Sequence, residues 1–124
     1  MRIAIVEDDP LQRGSLEVLL RGEPNLELVG AWGSAEEALA ELEQARPVVQ
    51  LTDLGLPGMG GADLMRTVRE RWPQVELLAL TQFEERSIVL GAFKAGASGY
   101  LLKGSTPREI VEALLHVHQG GAPM

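Results

Sequence analysis

The N-terminal stretch sets the pattern that decides the fold: residues 2–16 read RIAIVEDDPLQRGSL. The apolar run IAIV at residues 3–6 shows no polar alternation, which favours a strand covered on both faces of a sheet. Asp9 followed by Pro10 is typical of a helix start, with Asp9 as the cap and Pro10 at the first helical position. The stretch therefore predicts a buried strand, a short acidic turn and a helix.

The rest of the chain repeats this strand-and-helix unit. Further apolar runs occupy residues 26–32, 48–51, 75–80 and 99–102. Between them, SAEE at 34–37 and TPRE at 106–109 are capping boxes, and each precedes apolar residues at helical spacing. Gly96 and Gly120 lie where helices of this length would end. Five such units predict an α/β fold with a doubly wound parallel sheet and right-handed crossovers.

Composition narrows the functional classes. The 124 residues carry 18 acidic and 11 basic side chains, a net charge of −7, so this chain alone is a poor candidate for binding nucleic acid. The absence of cysteine excludes a disulfide scaffold and a thiolate site, and it fits a reducing compartment. Neither a signal peptide nor an apolar run of membrane-spanning length is present. These features predict a cytoplasmic protein without a membrane partner.

Polar side chains cluster at the predicted strand ends. Glu7 and Asp8 follow the first strand, and Asp53 follows the third. In a sheet ordered 2-1-3-4-5 these strands are neighbours, and binding sites form beyond the carboxyl ends of parallel strands. The fourth strand delivers Thr81 and the fifth delivers Lys103. The sequence thus predicts an acidic trio beside a hydroxyl and an ammonium.

Such a site suits phosphoryl chemistry. Three clustered carboxylates repel one another, and a hard cation such as Mg²⁺ relieves that repulsion. A carboxylate can also act as a nucleophile and form an aspartyl-phosphate. Asp53, at a rigid strand end, is the predicted nucleophile, with Lys103 and Thr81 placed to offset charge on the phosphoryl group.

Four segments carry a family resemblance: VEDDPL at 6–11, TDLGLPGM at 52–59, LT at 80–81 and GYLLK at 99–103. In this order and spacing, the chain from Arg2 to about Gln119 resembles the receiver domain of two-component response regulators, most closely the LuxR/NarL type. The resemblance implies a flavodoxin-like (βα)5 three-layer sandwich with strand order 2-1-3-4-5.

The resemblance also implies roles for individual residues. Asp53 would accept a phosphoryl group from a sensor histidine kinase, Lys103 would anchor it, and Thr81 with Tyr100 would form the switch pair. The implied Mg²⁺ ligands are Glu7, Asp8, Asp53 and the backbone carbonyl of Gly55. Such a domain is not an enzyme in the usual sense, but it assists its own phosphorylation and dephosphorylation.

A longer parent chain is implied as well. Residues 1–119 would form the receiver, and residues 120–124 would begin a linker to an absent C-terminal helix-turn-helix domain that binds DNA and controls transcription. The face formed by helix four (residues 84–95), strand five and helix five would engage a partner or a second copy, giving a homodimer.

Several positions depart from the family pattern. Gly60 stands where an Asp is common, which removes a cap from helix three, and Gln50 falls in mid-strand without an evident partner. Gln82 and Phe83 follow Thr81, where a small residue is usual, so we expect them to slow access to the site. These departures leave open a phosphorylation-independent interaction scaffold.

A second alternative is a phosphatase of the haloacid dehalogenase type, which also uses an Asp nucleophile and Mg²⁺. That chemistry requires Asp-x-Asp after the first strand, and Asp53-Leu54-Gly55 lacks the second acid. His116 and His118 could serve in phosphotransfer, but exposed positions on the last helix are the favoured interpretation.

Overall fold

A computed structural model describes residues 1–118, which form five strands and five helices in strict alternation. The strands are β1 (Arg2–Val6), β2 (Glu27–Trp32), β3 (Val49–Asp53), β4 (Glu76–Thr81) and β5 (Gly99–Leu102). The helices are α1 (Pro10–Arg21), α2 (Ala35–Ala45), α3 (Gly61–Arg71), α4 (Arg86–Lys94) and α5 (Pro107–His118). Gly120 and the expected linker at 120–124 lie outside the described residues.

The five strands form one parallel sheet in the order β2-β1-β3-β4-β5. The predicted fold class and strand order are therefore confirmed. β3 continues two residues past the apolar run, as far as Asp53, which pairs with Leu80 of β4. This extension holds the Asp53 backbone inside the sheet rather than in a loop.

The sheet is covered on both faces, which explains why its strands lack polar alternation. α1 and α5 pack on one face, against residues such as Ile3 and Ile5. α2, α3 and α4 pack on the other face, against residues such as Ala4 and Val6. Each strand thus alternates between two cores rather than between core and water.

Gln50 has a partner that its sequence position did not reveal. Its side chain is fully buried, and Nε2 donates a 2.8 Å hydrogen bond to Oγ1 of Thr52, two residues along the same strand. Both side chains share the face of Ala4 and Leu77, because Gln50 pairs with these residues in the sheet. Within residues 1–118, Gln50 Oε1 has no hydrogen-bond partner.

The predicted helix starts are largely confirmed. Asp9 and Ser34 cap α1 and α2 through their side chains. Thr106 and Glu109 exchange both hydrogen bonds of the capping box at α5. At α3, Gly60 is the N-cap and provides no side-chain hydrogen bond, as its sequence implied.

Helix α4 begins at Arg86, two residues later than expected. Thr81 does not cap this helix, because the N-cap of α4 is Glu85. The Thr81 hydroxyl instead accepts a 3.1 Å hydrogen bond from the backbone N–H of Phe83, which forms a turn before the helix. In residues 1–118 we find no helix that combines the length and hydropathy needed to cross a bilayer.

Candidate functional site

The carboxyl edge of the sheet contains a cavity of about 500 Å³ between the loops that follow β1, β3, β4 and β5. Eight of the nine site residues selected from the sequence line it: Glu7, Asp8, Asp53, Gly55, Thr81, Gln82, Phe83 and Lys103. Tyr100 is the one selected residue that does not. The topology therefore gathers residues from four distant segments into one cavity.

The acidic trio converges as expected. Glu7, Asp8 and Asp53 each offer a carboxylate oxygen, and these oxygens lie within 4.8 Å of one another. Glu7 is 0% exposed and Asp53 is 2% exposed, whereas Asp8 lies in solvent contact. A buried pair and an exposed third acid give the cluster an open side toward the cavity.

Lys103 neutralises part of this charge. Its Nζ lies 3.1 Å from Asp53 Oδ2 and 3.1 Å from Glu7 Oε1. The contact with Asp53 is a hydrogen bond, but the contact with Glu7 is an ion pair without hydrogen-bond geometry. One ammonium thus serves two buried carboxylates, and Glu7 Oε1 is left without a hydrogen-bond donor in the described part of the chain.

Burial and charge shift two pKa values in this cluster. Burial, and after it the adjacent Asp53 carboxylate, raise the pKa of Glu7 above 4.5 against the opposing effects of the Asp9 backbone N–H and the Lys103 ammonium. Burial acts to lower the pKa of Lys103, but the adjacent Asp53 and Glu7 carboxylates dominate and raise it above 10.5. Both shifts favour the protonated form, which is the cation for Lys103 and the neutral acid for Glu7.

The backbone around Asp53 fixes its carboxylate. Oδ1 accepts a 2.9 Å hydrogen bond from the Gly55 N–H, while Oδ2 faces Lys103. The first residue of α3, Gly61, packs against the Asp53 carbonyl group so closely that a Cβ atom there would collide with the backbone. Gly55 and Lys103 therefore hold the Asp53 carboxylate, and α3 packs against its backbone.

The expected switch residues lie in separate surroundings. Thr81 is buried at the end of β4, and its hydroxyl is engaged by Phe83. Tyr100 is half-buried in β5, where its ring meets Phe93 of α4 edge-on at 6.4 Å between centroids. No hydrogen bond joins Thr81 to Tyr100 in residues 1–118.

The donor set of the trio fits magnesium. Carboxylate oxygens are the hard ligands that Mg²⁺ selects, and the three acids can share one ion at the separation observed. Within residues 1–118, Glu7 Oε1 is buried and accepts no hydrogen bond. A bound cation would offset the free-energy cost of burying this oxygen. The chain thus presents an acidic cluster suited to a divalent cation.

One residue near the site was not predicted from the sequence. Arg13 of α1 donates from Nη1 to the backbone carbonyl oxygen of Glu7 at 2.8 Å. The sequence does not predict this contact, because whether the Arg13 side chain meets the loop after β1 depends on the direction of α1 relative to the sheet. By contrast, His116 and His118 lie exposed on α5, as expected.

Comparison with known proteins gives a consistent match. The profile described as the response regulator receiver domain matches residues 3–115. Transcriptional regulatory protein DegU of Brevibacillus brevis is 35% identical over 122 residues, which cover 98% of this chain and 52% of DegU. The DNA-binding transcriptional activator DevR/DosR of Mycobacterium tuberculosis is 36% identical over 120 residues, covering 97% of this chain and 55% of that protein.

Solved structures agree with these relatives. A LuxR-family two-component response regulator from Aurantimonas sp. has a TM-score of 0.91 at 34% identity, covering 98% of this chain and 87% of that one. The signal receiver domain of the putative response regulator NarL from M. tuberculosis has a TM-score of 0.90 at 34% identity, covering 96% of both chains. The chain spans about half the length of the curated relatives it matches.

Proposed function

Since the chain belongs to the receiver domain family of two-component response regulators, we propose that it is a switch in which Asp53 accepts a phosphoryl group from a histidine kinase. The observation that carries this proposal is the placement of Asp53. Its carboxylate is buried at a strand end, held by Gly55 and Lys103, and faces a cavity large enough for a phosphoryl group.

The transfer step requires a nucleophile and a leaving group. One carboxylate oxygen of Asp53 attacks phosphorus, and the new P–O bond forms as the P–N bond of the donor phosphohistidine breaks. The electron pair of that bond stays on the donor imidazole nitrogen, which takes up a proton. The product on this chain is a mixed anhydride at Asp53.

Residues around Asp53 would stabilise the transferring group. The Lys103 ammonium, already 3.1 Å from Oδ2, balances charge on the phosphoryl oxygens. The Thr81 hydroxyl can donate to one of them once it leaves the Phe83 N–H. Water attack on the anhydride would reverse the switch in the same cavity, so the domain assists both its loading and its discharge.

Magnesium would complete the electrostatics. We propose that Glu7, Asp8, Asp53 and the Gly55 carbonyl hold the ion, as the acidic cluster supports. When bound, Mg²⁺ supplies positive charge that offsets the phosphoryl oxygens. Glu7 and Asp8 would contribute carboxylate oxygens that lie within 4.8 Å of a carboxylate oxygen of Asp53.

The switch would act on the face formed by α4, β5 and α5. Movement of Thr81 toward the phosphoryl group removes the hydrogen bond that it accepts from the Phe83 N–H. Tyr100, packed on Phe93, then couples β5 to α4. Phosphorylation shifts the population only by its differential interaction with the two states.

The effect of the switch on transcription would be exerted by a longer parent protein. The relatives are named as transcriptional regulators and are about twice as long as this chain, which supports a receiver at 1–119 joined through residues 120–124 to a DNA-binding domain. We propose that the phosphorylated receiver controls transcription through that domain, with homodimerisation through the α4-β5-α5 face. The cytoplasmic location predicted from the sequence remains part of this proposal.

Intact-mass spectrometry tests the central claim. The chain is incubated with acetyl phosphate and Mg²⁺ beside Asp53→Asn, and with EDTA in place of Mg²⁺ as a second control. We expect one phosphoryl group on the wild type with Mg²⁺ and none in the other samples. No gain in the wild type would contradict the switch and favour the phosphorylation-independent scaffold. Sustained turnover of a generic phosphomonoester would favour the phosphatase alternative.

A further inference from the structure

Arg13 reaches from α1 over the loop that follows β1. Its Nη1 donates to the Glu7 carbonyl oxygen at 2.8 Å and lies 3.5 Å from the Asp8 carbonyl oxygen. In the described part of the chain, no other donor bonds either carbonyl oxygen. The Arg13 residue is half-buried, and its hydrogen bond to the Glu7 carbonyl oxygen is partly shielded from solvent.

The loop beneath Arg13 has few other hydrogen bonds, and within it the Asp9 N–H donates to Glu7 Oε2 at 3.1 Å. At one end, the Glu7 N–H donates to the Trp32 carbonyl at 2.9 Å, and at the other end Asp9 caps α1. Asp8 lies between them, exposed, and no hydrogen bond to its carboxylate is found among residues 1–118. No hydrogen bond within residues 1–118 fixes the Asp8 carboxylate, so Arg13 acts on it through the backbone alone.

We propose that Arg13 is a positioning residue for the divalent cation: by holding the carbonyl groups of Glu7 and Asp8, it aims their carboxylates at the point shared with Asp53. This inference rests on the proposed function, because it takes Mg²⁺ as the ligand of the acidic trio. Removing a group that orients a metal ligand through a hydrogen bond typically weakens metal binding by about 10- to 100-fold.

The sign of the effect separates positioning from simple charge. A guanidinium near a cation site repels the cation, so electrostatics alone predicts tighter metal binding when Arg13 is neutralised. Positioning predicts the opposite, because the loop carbonyls lose their donor and the carboxylates lose their alignment. The two explanations therefore predict opposite changes in the dissociation constant.

Gly33 offers an independent way to disturb Arg13. A Cβ atom at Gly33 would lie 3.0 Å from Arg13 Nη1 and 3.2 Å from Glu37 Oε2. The bare backbone of the β2–α2 loop thus leaves room for the guanidinium. Gly33→Ala keeps every charge of the chain and pushes the guanidinium away by a few tenths of an ångström.

The test measures Mn²⁺ affinity by electron paramagnetic resonance, with Mg²⁺ as competitor, on the chain without phosphodonor. We expect Arg13→Met to weaken Mn²⁺ binding by about tenfold and Gly33→Ala to weaken it less. Arg21→Met is the charge control, because Arg21 lies on the same helix about 12 Å farther along its axis and pairs with Glu17. We expect this variant to bind Mn²⁺ like the wild type.

Unchanged or tighter Mn²⁺ binding by Arg13→Met would overturn the inference. Circular dichroism and urea unfolding in EDTA establish that each variant folds. If Arg13→Met does not fold, Gly33→Ala decides alone, and wild-type affinity in that variant overturns the inference. A wild-type chain that binds no Mn²⁺ would instead refute the proposed metal site, so the two failures are distinguishable.

Discussion

The Lys103 ammonium lies 3.1 Å from Asp53 Oδ2, although 50 residues separate the two in the chain. The contact exists because β3 and β5 end at the same edge of the sheet, on either side of β4. Lys103 also reaches Glu7 at 3.1 Å, so it is the counter-charge for both buried acids of the trio. Its removal should therefore change metal binding and phosphoryl transfer in opposite directions.

We predict that Lys103→Met binds Mg²⁺ more tightly than the wild type but is phosphorylated about a hundredfold more slowly, the usual scale for loss of one oxyanion donor. Metal affinity rises because a cation beside the site is removed, and transfer slows because the phosphoryl oxygens lose their partner. Mn²⁺ titration and initial rates with acetyl phosphate measure the two effects. Lys94→Met, which removes the other lysine of the chain from an exposed position on α4, is the control. An unchanged rate in Lys103→Met would contradict the assigned role.

The raised pKa of Glu7 predicts a pH dependence of stability in EDTA. The folded chain binds the Glu7 proton more tightly than the unfolded chain does, so this residue reduces stability as pH rises through its folded pKa. The penalty is complete above that pKa and vanishes below the unfolded value near 4.5. Glu7→Gln mimics the protonated form. Its stability relative to the wild type should therefore increase with pH.

Urea unfolding of both proteins from about pH 4 to pH 7.5, a range around the ordinary Glu pKa, measures this difference. Glu41→Gln, which changes an exposed acid on α2, is the matched control for the loss of one carboxylate. A stability difference between Glu7→Gln and wild type that stays flat or falls with pH would contradict the burial penalty.

Gln82 stands exposed at the cavity rim beside Thr81, and we predict that it slows access by phosphodonor and water. Gln82→Ala should load faster with acetyl phosphate and lose its phosphoryl group sooner. Loading rates and the lifetime after donor removal are read by intact mass. Gln74→Ala, remote from this cavity, is the control. An unchanged lifetime and loading rate would refute the role of Gln82.

Much of this site was predictable because parallel topology turns strand order into spatial proximity. The end of each apolar run indicates where an acid, a hydroxyl or an ammonium leaves the sheet, so the proximity of Asp53 and Lys103 follows from the sequence pattern. Contacts that depend on the direction and length of a side chain could not be predicted from the sequence. Arg13 bonds a loop that its sequence position does not indicate, and Thr81 bonds Phe83 because α4 begins late.

Gln50 illustrates the same limit inside the core. The sequence marked it as a polar residue in a buried strand but could not supply Thr52 as its partner, since that requires both side chains on one face. We predict that Thr52→Val alone costs about 1–3 kcal/mol, because Gln50 Nε2 is then buried without an acceptor. The double variant Gln50→Leu, Thr52→Val should recover most of that loss, because no buried polar atom of the pair remains.

Urea unfolding of the two single variants and the double variant tests this coupling. Thr67→Val, on the half-buried side of α3, controls for the loss of a threonine hydroxyl. If the loss of stability in the double variant equals the sum of the losses in the two single variants, the two side chains are not coupled.

Adjacent glycines before and at the start of α3 should respond to substitution in opposite ways. A Cβ at Gly61 would collide with the Asp53 carbonyl oxygen and approach the Leu54 Cα to 2.8 Å, and backbone atoms of a central strand cannot give way. At Gly60 a Cβ would meet nothing within 4 Å, and φ of −71° is an ordinary conformation for any residue. We therefore predict that Gly61→Ala costs about 1–3 kcal/mol, whereas Gly60→Ala is close to neutral.

Gly60→Asp should go further and stabilise the chain by a few tenths of a kcal/mol or somewhat more, because it supplies the missing side-chain cap and an acid at the positive end of α3. Urea unfolding ranks the three variants, and acetyl phosphate loading shows whether Asp53 has shifted. Gly61→Ala should load more slowly than both Gly60 variants, since its methyl group displaces the backbone that carries the nucleophile. Equal stability and loading for Gly60→Ala and Gly61→Ala would mean that α3 does not fix Asp53.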